Sequence, residues 1–260
     1  MGNVEYSQDA RKALTGYVLG LADDCLVLGQ RVAEWLGHAP AMELDIACSN
    51  LSLDLIGQAQ FYYEYAGELE NAGRSADDLA FMRDEHEYRN HLLVEQLNGD
   101  FGKTIVRHYL FSQFSLLRSN GLAKSNDPKI AAIAQKSVRE LEYHVKFSAD
   151  WVRRLALGTE EGHSRIQTAI DDLWSFTSEL FNDVEQESAL FSAGLAVAPS
   201  MFEEEWCSQV NSLFAEAGIK IPEHATLITK GRMAGHHTEH LGHLLAEMQF
   251  LQRAYPGLAW

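Results

Sequence analysis

Leu14, Val18, Leu21, Cys25, Leu28, Val32 and Trp35 recur at steps of four and three, the seam of a packed helix, so the spacing predicts a helix from about Asp9 to Trp35. Gly37-His38-Ala39-Pro40 stops it, because glycine breaks the helix and proline disfavours helical geometry in the residue before it. A second helix, from about Ala41 to Gly73, carries Leu51, Leu53, Leu55 and Ile56 and is apolar on most sides, which predicts deep burial. A more polar helix is expected from Asp77 to about Leu97, ended by Asn98-Gly99. Asp100 can cap a fourth, from Phe101 to about Leu122. Asp127-Pro128 places an acceptor at the N-cap and proline at the first helical position, opening a fifth helix to about Leu157. Further helices are expected from Ser164 to about Ser188, from the capping box Ser200-Met201-Phe202-Glu203 to Ala217, and to about Ala254 after an irregular stretch from Gly218 to Gly235. No strand-like alternation of useful length interrupts them. The chain therefore reads as all-α, one domain over 1–260, with a core at about 9–157 and peripheral helices at about 164–254. The first, second, fourth and fifth helices are the long ones and would make the core.

Bundles of four long helices can hold a two-metal carboxylate site, with one Glu from each of two helices and Glu-x-x-His from each of the others. Here the stretch Phe101 to Asn126 contains no Asp or Glu, and the chain's one Glu-x-x-His, Glu160 to His163, falls in an expected Gly-flanked loop. The scaffold of an oxygen-activating enzyme is thus expected without its ligands. Asn50, Asp54 and Gln58 stack at i, i+4, i+8 on the apolar second helix, and Gly57 stands where a metal helix would need a ligand. Buried polar groups without partners cost about 1–3 kcal/mol each, so this stripe is expected to form a hydrogen-bonded internal network. Glu140 and His144 are spaced by four, with Tyr143 in the Glu-x-x-His ligand place, and pairing between neighbouring turns is expected. Asp23 and Asp24 flank the first seam, where adjacent acids are usually solvated or paired. The competing metal candidate is His236, His240, His243 and Glu247, which would share one stripe if the last helix began there. It would make the chain an autonomous metalloenzyme, but no Cys or second His cluster is evident to complete it, and a polar surface face is the reading preferred. Phe61-Tyr62-Tyr63-Glu64-Tyr65 and Tyr109, Phe111 and Phe114 are expected to serve packing.

A formal charge of -16 argues against nucleic-acid binding, which needs clustered Lys and Arg. Cys25, Cys48 and Cys207 are odd in number and form no CxxC pair, as expected of reduced, packed thiols in a cytoplasmic protein. No apolar run approaches the roughly 18 residues that mark a membrane span.

Several blocks, in order, carry a resemblance. Leu21 to Gln30 (LADDCLVLGQ), Glu34 to Ala39 (EWLGHA), Leu53 to Ala59 (LDLIGQA), Leu93 to Gly99 (LVEQLNG), His237 to Gly242 (HTEHLG) and Leu245 to Arg253 (LAEMQFLQR) closely resemble the C subunits of bacterial phenylacetyl-CoA 1,2-epoxidases, across nearly the whole chain. His237, Glu239 and His240 fit that pattern, whereas His236 and His243 look like local additions. The resemblance implies a ferritin-like helical bundle with additional C-terminal helices and a non-catalytic structural role, with no catalytic, cofactor or metal residue in this chain. It implies a homologous catalytic partner subunit holding a di-iron centre, and a reductase partner with FAD and iron–sulfur that draws on NADPH. The matching positions here are not ligands, so no catalytic ligand carries over. A ferritin-like storage protein is the third reading, and the missing carboxylates argue against it.

Overall fold

The computed structural model describes residues 6–222 and 235–258, so most of the expected irregular stretch from Gly218 to Gly235 lies outside the described residues. The long helices are α1 (Gln8–Ala33) and α2 (Met42–Glu70); after the short α3 (Ala76–Phe81) and α4 (Leu92–Glu95) come the long α5 (Phe101–Leu122) and α6 (Pro128–Gly158). Then follow α7 (Glu160–Leu173), α8 (Ser188–Ser192), α9 (Glu203–Ala217), α10 (Glu239–Met248) and α11 (Phe250–Ala254). No strand occurs among the described residues.

The starts of α5 and α6 form as the sequence predicts. Asp100 Oδ1 accepts from the Lys103 amide at 2.9 Å, and Asp127 Oδ1 accepts from the Lys129 and Ile130 amides, both at 2.9 Å. The outer oxygen of Asp127 takes hydroxyls from Tyr6 and Tyr65, tying α2 to the start of α6. Gly29 allows α1 and α2 to approach closely, since a Cβ there would meet Ile56 and Leu55 at 3.2 and 3.3 Å. Ser52 donates to the Gly29 carbonyl at 2.9 Å in the same contact.

Residue numbers fall along α6 as they rise along α2: His144 faces Asp54, Glu140 faces Gln58 and Lys129 faces Glu68, so the two helices run antiparallel. The bundle closes where Arg118 of α5 reaches Asp24 of α1. Outer helices cover α5 and α6, with Ile166 and Ile170 of α7 buried and Trp206 of α9 donating to the Leu110 carbonyl at 3.0 Å.

Several expectations need correction. The polar helix expected from Asp77 to Leu97 is instead α3, a 3-10 turn at Glu85–Glu87 and α4, because Asp23 and Asp24 draw the Arg89 and His91 amides into side-chain bonds and out of a helical ladder. Glu160 to His163 is not loop but the first turn of α7, capped by Thr159, whose Oγ1 accepts from the Gly162 amide at 3.0 Å. That helix ends at Leu173, and Trp174–Phe181 continues as 3-10 turns. No capping box forms at Ser200, whose amide and hydroxyl bond Asp183 across a loop, and α9 follows a 3-10 turn at Pro199–Phe202. The last helix begins at Glu239 and breaks between Met248 and Phe250. Finally, α2 is not buried on most sides: Leu51 and Leu55 are inside, but Leu53 is 67% exposed.

Candidate functional site

The polar residues singled out on α2 and α6 meet in the middle of the bundle, though not as one network. Gln58 is buried and relays between helices: the Cys25 thiol of α1 lies 3.7 Å from its Oε1, and its Nε2 donates to Glu140 Oε2 at 2.8 Å. Asp54, half-exposed at the rim, pairs with His144 Nε2 at 3.3 Å. Asn50 faces solvent, one turn beyond the set. Glu140 and His144 thus each reach across to α2; the expected pairing between neighbouring turns gives way because the facing helix offers partners of the right reach. From α5 comes His108, fully enclosed, its ring centroid 5.0 Å from that of His144. Neither His108 nitrogen, nor Ser112 Oγ one turn on, nor His144 Nδ1 has a protein partner. Burial first, then His144 and Arg107, hold the His108 pKa well below the ordinary imidazole value, so the ring is neutral.

A second region is built differently. Asp23 and Asp24 of α1 are fully buried. Asp23 binds the Arg83 guanidinium through both oxygens and also takes the Tyr63 hydroxyl at 2.6 Å and the Arg89 amide at 2.7 Å. Asp24 takes Arg118 Nη1 at 2.9 Å, His91 Nδ1 at 2.9 Å and the His91 amide at 2.9 Å. The guanidiniums stack on aromatic faces, Arg83 at 4.3 Å from the Tyr88 centroid and Arg118 at 4.9 Å from that of Phe114. Neither arginine stands out in the sequence as a functional residue. Arg118, on a helix with no acids, is the available signal, since a buried cation needs a counter-charge.

The C-terminal candidates separate. His236 precedes α10 and is exposed, while His243 and Glu247 project from α10 into solvent and His240 is half-buried. The histidine that matters structurally is His237: Nδ1 lies 3.1 Å from buried Glu95 Oε2, and Nε2 lies 3.1 Å from the Tyr88 carbonyl. Glu95 also takes the Thr238 amide at 2.6 Å and Asn90 Nδ2 at 3.2 Å. A carbonyl can only accept, so with a carboxylate opposite the other nitrogen this geometry suits the imidazolium. Burial pulls the His237 pKa down, but the Glu95 bond and charge more than offset it and the net shift is upward.

The donor set does not fit a di-iron centre. Helix α5 brings a neutral, orphaned histidine in place of a carboxylate, Gly57 brings nothing, and burial pushes the Cys25 thiol up to about 12, away from the thiolate that ligates metals. Asp24, fully buried in α1, is already paired with Arg118. Among the described residues no group of three or more His, Cys, Asp or Glu side chains is arranged to hold a metal ion. Nor is any helix among them long and apolar enough to cross a membrane.

The model of the family described as phenylacetic acid catabolic protein matches residues 2–260. The chain belongs to that family. A curated relative, the C subunit of the 1,2-phenylacetyl-CoA epoxidase of Escherichia coli (strain K12), is 46% identical over 247 residues, spanning 95% of this chain and 99% of that protein. The all-α bundle is accordingly the ferritin-like fold of the phenylacetic acid catabolic family.

Proposed function

We propose that this chain is a non-catalytic structural subunit of a multicomponent monooxygenase that epoxidises phenylacetyl-CoA to 1,2-epoxyphenylacetyl-CoA in aerobic phenylacetate degradation. In this reading a homologous catalytic subunit holds the di-iron centre, a reductase with FAD and iron–sulfur delivers electrons from NADPH, and the assembly works in the cytoplasm. The name of the 46% identical relative supports the pathway. The observation that supports the non-catalytic role is the way Asp23 and Asp24 are neutralised: Arg83 and Arg118 supply from within the chain the positive charge that a metal supplies in a catalytic bundle.

The physical logic is a division of labour. A bundle that keeps several interior carboxylates for metal is destabilised when the metal is absent, because uncompensated buried charge costs several kcal/mol. A homologous bundle whose deep charges are internally paired has no such dependence and offers a firm surface to lean on. The test is to purify the catalytic subunit with and without this chain, then compare its iron content, melting temperature and NADPH- and O2-dependent epoxidation. Co-expression is expected to raise all three; a catalytic subunit that is soluble, iron-loaded and fully active alone would overturn the proposal.

A further inference from the structure

The C-terminal segment beyond α10 lies against α3 at the periphery, and the two leave a cleft of about 300 Å³, at the lower end of the volumes that take a small organic group. Its walls are pinned from below. Gln249 Nε2 donates to the Ala80 and Arg83 carbonyls at 3.3 and 3.0 Å, and Arg253 donates to the Phe81 and Arg83 carbonyls at 3.1 and 2.7 Å. These bonds fix α11 on the end of α3, so the cleft is part of the fold. Phe81, Met82, Tyr255 and Leu258 give it an apolar lining, and the last three are exposed, at 47%, 54% and 58%. Apolar side chains scattered singly need no explanation, but several gathered around one concavity mark an interaction surface.

The polar groups of the lining select the occupant. Asp77 forms no ion pair or hydrogen bond through its carboxylate among the described residues. Asp78 Oδ2 accepts from the Ser75 amide and hydroxyl, both at 2.8 Å, and these bonds hold its pKa below the ordinary carboxylate value, so it too is charged. Gln252 lines the same cleft, its Oε1 buried without a partner. No Lys, Arg or His lines it, and the neighbouring cation, Arg253, is already committed to Asp84 at 2.9 Å. Two carboxylates, an amide oxygen and two aromatic side chains favour a group that is cationic, rich in N–H donors and flat enough to lie on a ring. A guanidinium meets all three demands, whereas an ammonium lacks the planar face. Free arginine would leave Met82 and Leu258 uncovered, because its own backbone is charged. An arginine within a chain brings neighbours that can cover them.

We propose that this cleft docks an arginine side chain carried by an apolar-flanked segment of a partner protein. The guanidinium pairs with Asp77 and Asp78 against the rings of Phe81 and Tyr255, and the flanking residues cover Met82 and Leu258. The formal charge of -16 on the chain assists the approach of such a segment. This assignment stands or falls apart from the role proposed above.

The test uses the full-length chain with isotope-labelled methionine methyl groups and follows the Met82 signal, assigned with Met82→Leu, by NMR. The probes are acetyl-Leu-Arg-Leu-amide, the same peptide with citrulline in place of arginine, and free arginine. The arginine peptide is expected to shift Met82 saturably and to bind about tenfold tighter than the citrulline peptide, because ring and carboxylate each discriminate by a few-fold at an exposed site. Asp77→Asn is expected to reduce that preference, and Tyr255→Ala to weaken the arginine peptide several-fold. Both positions are exposed, so neither change threatens folding, and Glu43→Gln, an exposed acid on α2, should leave binding unchanged. No shift of Met82 up to about 10 mM peptide, equal affinity for the two peptides, or the same shift at exposed Met42 and Met201 overturns the proposal. So does an undiminished preference in Asp77→Asn. Free arginine bound as tightly as the peptide would assign the cleft to a small guanidinium ligand and overturn the docking of a partner.

Discussion

Two polar regions share this bundle and are built on opposite terms. Around Asp23 and Asp24, at the centre of α1, every charge is sealed and answered: arginines supply compensation, and a tyrosine, a histidine and backbone amides fill the remaining lone pairs. Around His108, between α5 and α6, the groups are neutral or half-exposed, the contacts longer, and several buried atoms lack a protein partner. The difference teaches that the deep acids of α1 are held by fixed cations together with neutral donors. Where α5 carries no carboxylate, the surrounding polar groups persist as a loosely satisfied remainder.

Removing a cation from the sealed region should have the largest effect. Arg83→Met leaves Asp23 buried and unpaired and is expected to destabilise by about 3–5 kcal/mol, read as a lower urea midpoint. Adding Asp23→Leu should recover most of that loss, since replacing both partners by apolar groups is often neutral. A double variant as unstable as the single one would mean that the arginine matters for its packing rather than its charge.

The C-terminal contact comes next and carries a pH signature. The His237 pKa is raised in the folded protein, so its contribution is fully present below the unfolded value of about 6.5 and is lost as pH rises through the higher folded value. Glu85 and Glu95 face this ring, and Arg31, which bonds both the Glu95 and His240 carbonyls, lies on the helix beneath. Proteolysis or hydrogen exchange in residues 235–258 is expected to increase as pH is raised through that higher folded value, and His237→Gln should remove that dependence. An unchanged pH profile in His237→Gln would rule out the ring as its source.

His108 should behave in the reverse sense. Its depressed pKa means that the folded state binds fewer protons, so stability falls as pH drops below about 6.5. His108→Leu, which removes two unpaired buried nitrogens, is expected to be neutral or to stabilise by about 1 kcal/mol and to flatten the acid limb of the stability curve. A loss above about 2 kcal/mol would show that the nitrogens are satisfied, for instance by buried water. The smallest effect belongs to Glu140→Gln: with its partner Gln58 able to bond either side chain, a change within about 0.5 kcal/mol is expected in thermal melts.

The fold is legible in the sequence where period and punctuation agree. The seam from Leu14 to Val32 and the caps Asp100 and Asp127 locate three of the four core helices, because these are local signals. Helix α2 reads as buried on most sides because its apolar residues serve two surfaces: Leu51 and Leu55 face the core, while Leu53 faces out, and composition alone does not separate the sides. The segment from Asp77 to Leu97 looks helical because its competitors for backbone amides, Asp23 and Asp24, lie over sixty residues away. The same long-range pairing hides the roles of Arg83 and Arg118. His237 stands within a block that resembles the family, yet its partner Glu95 lies 142 positions away, so spacing directs attention to the exposed histidines beside it.

The claim that this bundle settles its interior charge without metal is tested most directly by elemental analysis of the chain, expressed alone in medium supplemented with iron and zinc. Less than about a tenth of an equivalent of either metal, together with a melting temperature unmoved by a chelator, is the predicted result, since nothing in the fold depends on a bound ion. One or two tightly held equivalents, lost together with stability on chelation, would contradict it.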